Sequence, residues 1–160
     1  MNRLSQQDFV RNIKNSYREF NTILAPLKKR VDDSSYLRMS ELKNFIGFLI
    51  AVEEDVIEMR LKKIMDEENP YLPAIDAKKL RERNYHNSDS LKKIIDTFLE
   101  QRLDLVKFLQ AIPSDIWNRT GVHELEGHVT FEEFIRRILK NDQINIAHLR
   151  KDLISTNLKN

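Results

Sequence analysis

Glu53 stands beside Leu49 and Val56 in an apolar run, and Arg102 stands between Phe98 and Leu105. Asn141 and Asn145 lie four residues apart, with His148 close behind. A buried charge without a partner is costly, so Glu53 and Arg102 must pair, reach solvent at a pocket or hydrogen-bond the backbone. Side chains four apart on a helix point at one spot, and here that spot receives two amides. Amide oxygens orient a hydrogen-bonded guest, but they are weak, neutral donors for zinc or nickel, which want imidazole or carboxylate at that spacing. His148 shares the face of Asn141 and Asn145 and offers one lone imidazole. His86, His123 and His128 fall in predicted loops or at element edges, with spacing unlike any ligand motif. Adjacent carboxylates such as Glu53-Glu54 and Glu132-Glu133 point apart on a helix. A glycine-rich phosphate loop, a nucleophile elbow and an HExxH pair are all missing from the sequence. Two readings stay open: a structural ion pair at the edge of a stripe, or a polar pocket built from inward side chains on facing helices.

The elements that position these residues are helical. Only three glycines and four prolines occur in 160 residues, 32% of which are charged and 41% hydrophobic, a balance that excludes disorder and a loop-rich β-fold. Cysteine is absent, which removes disulfides, thiolate zinc sites, iron–sulfur clusters and cysteine nucleophiles. A net charge of +2 lacks the one-sided field of a nucleic-acid binder. The first 20 residues alternate charged and apolar groups, unlike a signal peptide or a membrane span. The expectation is a cytoplasmic protein with neither a nucleic-acid nor a membrane partner.

Apolar stripes predict four long helices in one domain over 1–160. The first runs Val10, Ile13, Tyr17, Phe20, Leu24, Leu27 and Val31, with a break near Pro26. The second runs Leu42, Phe45, Leu49, Val52, Val56 and Met59, capped by Ser40 or a nearby serine, and ends before Asn69-Pro70. A crossover loop to Asp76 follows, then a short helical piece over 77–83. The third, behind Ser88 or Ser90, runs Leu91, Ile95, Phe98, Arg102, Leu105 and Leu109 and closes at Ile112-Pro113. The fourth opens on Thr130-Phe131-Glu132-Glu133, a capping box, and runs Phe131, Phe134, Ile138, Asn141, Asn145, Leu149 and Leu153. The fold class is all-α, a four-helix bundle with a long crossover between helices two and three.

The order of these features resembles the DinB-like family of metal-dependent hydrolases, also described as YfiT-like, over nearly the whole chain. Phe45 to Leu49 followed by Glu53 resembles an "IIGHLxxxE" helix, Asn69-Pro70 to Asp76 a proline crossover, and Phe98 with Arg102 an "FxxxR" helix. Residues 117–123 and 127–130 resemble a "WxRxGxH…GxxT" loop. The resemblance implies a three-histidine metal site formed by the helix-two histidine and an HDxxH pair. Asn141-Asp142-Gln143-Ile144-Asn145 places asparagine at both histidines of that pair, and Phe48 takes the third position. The expectation is therefore a bundle with no metal and no cofactor, binding a small molecule through Phe48, Val52, Glu53, Arg102, Asn141, Asn145 and His148. The alternative is a divergent metal-dependent thiol transferase or hydrolase using His148 with Asp142 or Glu53. A homodimer is the third expectation, resting on the strict first-helix seam and on the family's habit of pairing through bundle helices.

Overall fold

The computed structural model describes residues 4–29, 39–82 and 89–154. His86, Val31, Arg83 and Ser88 lie outside the described residues.

Helix α1 (Gln6–Leu24) begins at Ser5, whose hydroxyl accepts from Asp8 N at 3.1 Å while the Asp8 carboxylate accepts from Ser5 N at 2.9 Å. This reciprocal cap satisfies two of the exposed backbone donors of the first turn. Pro26 has no N–H to continue the ladder, and the chain tightens into a 3₁₀ segment, Ala25–Lys29. The second rod is α2 (Met39–Val52), six residues of π-helix (Glu53–Glu58) and α3 (Met59–Asp66). Ser40 sits inside its first turn rather than ahead of it. After α4 (Ala77–Glu82), Ser90 caps α5 (Leu91–Ala111) by accepting from Lys93 N at 3.2 Å. The last rod is α6 (Phe131–His148) with a π-helical extension, Leu149–Ile154. At its start Thr130 accepts from Glu133 N at 3.0 Å. The Glu133 carboxylate completes no capping box, because it turns to Arg137 at 3.4 Å and Arg136 at 3.5 Å.

Four long rods make the bundle, and a small sheet adds to it where the sequence reads as loop. Strand β1 (Tyr71–Leu72) pairs in parallel with β2 (Thr120–His123), which pairs antiparallel with β3 (Gly127–Thr130). Strands of two to four residues are too short for alternation to betray them. Gly127 closes the hairpin at φ 77°, a left-handed conformation that glycine adopts without strain. Arg119 ties the hairpin to the second rod by donating from Nη1 to the carbonyl of Ile64 at 3.3 Å and to that of Met65, two of the orphan carbonyls at the end of α3.

The α5 stripe is buried as read, but the second rod departs from its stripe beyond Val52. Met59 is 49% exposed, while Ile57, Leu61 and Ile64 are buried. The π-turn supplies the reason: its wider turn re-phases the buried face, so positions spaced for a regular α-helix rotate outward.

Two apolar clusters divide the core. One gathers Phe9 and Ile13, Ile57 to Ile64, Leu105 to Leu109 and Phe131 to Ile138; the other gathers Phe20 and Leu24, Leu42 to Ile50, Leu91 to Leu99 and Ile146 to Leu153. The seam of α1 is thus used within the chain itself.

Candidate functional site

Between the two clusters each rod contributes one buried polar residue: Ser16, Glu53, Arg102 and Asp142. Each sits where its rod crosses from one apolar cluster to the other, so together they form a polar layer across the bundle. Arg102 Nη2 donates to Glu53 Oε2 at 3.1 Å, Nη1 donates to Asp142 Oδ2, and Ser16 adds a second side-chain hydrogen bond to Asp142. The guanidinium lies 5.7 Å from the Phe20 ring and 5.8 Å from the Phe98 ring. Here one positive charge serves two carboxylates. Loss of water drives the Glu53 and Asp142 carboxyls above their ordinary range, opposed by Arg102, while the two carboxylates keep Arg102 firmly protonated. Glu53 Oε1 and Arg102 Nε have no hydrogen-bond partner among the described residues.

A cavity of about 140 Å³ opens beside this layer. Its walls are apolar, including Leu49, Val52, Val56, Ile57, Phe98 and Ile138, and Glu53, Arg102 and Asp142 line it from within. The π-turn begins at Glu53 and holds Val56 and Ile57, so the irregular segment of the second rod faces the cavity. Asn141 and Asn145 border it from α6, and Arg60 and Arg137 line it with their guanidiniums 5.5 Å and 5.8 Å from the centre of the Phe134 ring.

Of the residues singled out in the sequence, Val52, Glu53, Arg102, Asn141 and Asn145 therefore meet around one space. Phe48 and His148 do not. The Phe48 ring turns to α4, where the Arg81 guanidinium lies 5.2 Å from its centre, and Leu49 forms the wall instead. His148 Nδ1 is 2.8 Å from Asp152 Oδ2, and its ring packs on Phe45 at 4.9 Å. Asn141 is exposed and Asn145 half-buried; the inward residue of that turn is Asp142. Its signal was present in the sequence, since Asp142 is four residues from both Ile138 and Ile146, which are buried on the same helix face. Ser16, Arg60 and Arg137 carried no comparable signal.

The three-histidine centre implied by the motif resemblance finds no matching donors. The cavity is lined by two carboxylates, both engaged by Arg102, and by two neutral amides. Among the described residues no three His, Cys, Asp or Glu side chains are grouped so as to hold a metal ion. These residues do not fit a transition-metal centre.

No protein-family model and no curated protein matches the sequence. Among solved structures, the chain is similar to YfiT from Bacillus subtilis, described as a probable metal-dependent hydrolase with an unusual four-helix bundle topology. The two share 14% identity and superimpose with a TM-score of 0.74 over 94% of this chain and 89% of that one. The likeness shows the fold, a YfiT-type four-helix bundle, in agreement with the motif resemblance. No helix among the described residues is long and apolar enough to cross a membrane.

Proposed function

We propose that this chain is a non-catalytic small-molecule-binding protein, built on a YfiT-type bundle whose cavity carries no metal centre. The observation that supports the reading is the division of labour among residues of the motif segments. Glu53, Arg102 and Asp142 form the buried layer, while amides stand at the two α6 positions where the resemblance implies histidine. The cavity then has the make-up of a binding pocket, apolar walls with a few fixed polar groups, and its lining lacks the imidazoles that would hold a metal ion to activate water or a thiol. The rival reading, a thiol transferase or hydrolase with His148 joined to Asp142 or Glu53, requires His148 at the cavity. That imidazole is held on Asp152 and Phe45 instead.

Elemental analysis of protein purified without chelator tests the proposal. The expected result is zinc, nickel and iron each far below one equivalent. Stoichiometric metal that is lost on Asn141→Ala and Asn145→Ala substitution would overturn it.

A further inference from the structure

Charge is unevenly distributed along the cavity. The polar layer of Glu53, Asp142 and Arg102 lines one part of it, with its charges already paired with one another. It is also lined by two guanidiniums, Arg60 and Arg137, each near the Phe134 ring. Arg137 is provided for: it grips Glu126 in bidentate fashion at 2.6 Å and 2.9 Å and reaches Glu133 at 3.4 Å. Arg60 is not. Its Nη2 donates to the Pro73 carbonyl at 2.9 Å and lies 3.4 Å from His123 Nε2, and no carboxylate comes within ion-pair distance of it among the described residues. Burial and the neighbouring Arg137 both weigh against its charge, with only partial relief from Glu126. A half-buried guanidinium without an anion, at the edge of an apolar cavity, is a site short of one negative charge.

Resting on the small-molecule reading above, we infer that the cavity takes a small apolar monocarboxylate, its anionic head on Arg60 and its body among Leu49, Val56, Phe98 and Ile138. Size fixes the scale of that body. A dry cavity of about 150 Å³ lined by aliphatic and aromatic groups holds benzene, and this one is about 140 Å³. Those four side chains offer an apolar body contact surface and no hydrogen bonds. The polar layer disfavours a second carboxylate, because Glu53 and Asp142 already share one cation. Nη2 of Arg60 is engaged by the Pro73 carbonyl, so a carboxylate meets the guanidinium through a charge-assisted hydrogen bond from Nε or from Nη1 rather than a two-pronged fork.

Three probes of similar size separate the possibilities: benzoate, benzamide and benzylamine, titrated calorimetrically into the full chain at pH 7. Benzoate binds at least tenfold more tightly than benzamide, the preference shrinks with added salt, and Arg60→Gln abolishes it without weakening benzamide. Arg60→Lys retains part of the preference, and circular dichroism establishes that both variants are folded; should Arg60→Gln not fold, the wild-type ranking decides alone. Equal binding of benzoate and benzamide, or tightest binding of benzylamine, overturns the anionic head while leaving the cavity as a binding site. Failure of all three to bind at millimolar concentration overturns the small-molecule reading as well.

Discussion

Arg102 and Asp142 are 40 residues apart in sequence and meet at the centre of the bundle, Nη1 of the arginine donating to Oδ2 of the aspartate with neither residue more than 3% exposed. Glu53 completes the arrangement from the second rod, and Ser16 from the first. The buried face of each rod is otherwise apolar above and below this level, so the layer sets the helices in mutual register and lines the cavity.

Removing the cation leaves two buried carboxylates uncompensated. Arg102→Met is expected to cost about 3–5 kcal/mol, whereas Glu53→Gln costs less because its amide still accepts from Arg102. Urea unfolding of the two variants measures the difference. An Arg102→Met protein as stable as wild type would show that the layer contributes no net stability.

The same layer gives the fold an unusual response to acid. Desolvation holds the Glu53 and Asp142 carboxyls above their ordinary values of 4.5 and 3.8, so the folded chain binds protons there that the unfolded chain has released. Stability from such groups is full below the ordinary carboxylate range and is lost as pH rises through the raised values. Glu53→Gln deletes one of them, so the stability of wild type relative to this variant is expected to decline as pH rises from about 4 toward neutrality. Denaturant titrations at stepped pH measure that difference; a relative stability that increases with pH contradicts the assignment.

At Gly121 the sheet packs directly on the second rod. A Cβ there would stand 3.0 Å from Leu72 Cγ and 3.3 Å from Ile64 Cγ1, both in fully buried side chains. Gly121→Ala is expected to cost about 1–3 kcal/mol through overpacking, part of which Leu72→Val restores. Thermal unfolding of the single and double variants decides, and additive losses would place the strain elsewhere.

Arg119 docks the hairpin onto the end of α3 through the carbonyls of Ile64 and Met65. Arg119→Ala is expected to cost about 1–2 kcal/mol, since it strips a charged donor from carbonyls that have no partner within the helix. Hydrogen exchange should quicken in β1 and β2 before it does in α5. Uniform acceleration across the chain would mean that the contact does not set local stability.

The helices were legible where regular spacing governed them. On α5 all six stripe residues, Leu91 to Leu109, are buried, Arg102 among them. Glu53 stood out as a charge in an apolar run for the same reason. Met59 misled because a π-turn breaks the period on which its assignment depends. On α6 the amides at 141 and 145 drew the reading to a motif pair, although the helix buries Asp142 between them. Phe48 and Leu49 are adjacent, so an error of one residue turns a cavity wall into a contact with Arg81. The strands were illegible because pairing between segments about 50 residues apart, Tyr71 with Val122, leaves no local trace.

That one-residue distinction can be tested by building a site. Histidines at Leu49, Asn141 and Asn145 line one cavity and are expected to confer zinc binding, whereas Phe48→His combined with the same two α6 substitutions is not, because position 48 faces α4. Competition with a chromogenic chelator measures both. Equal affinity in the two triple variants would contradict the placement of Phe48.

The central claim is that the cavity beside Arg102 receives small guests and no metal. Crystals of the native chain grown with zinc, measured at the zinc absorption edge, address it directly. The account predicts no anomalous peak among Glu53, Asn141, Asp142 and Asn145. A peak coordinated by those side chains at about 2.0–2.2 Å would contradict it.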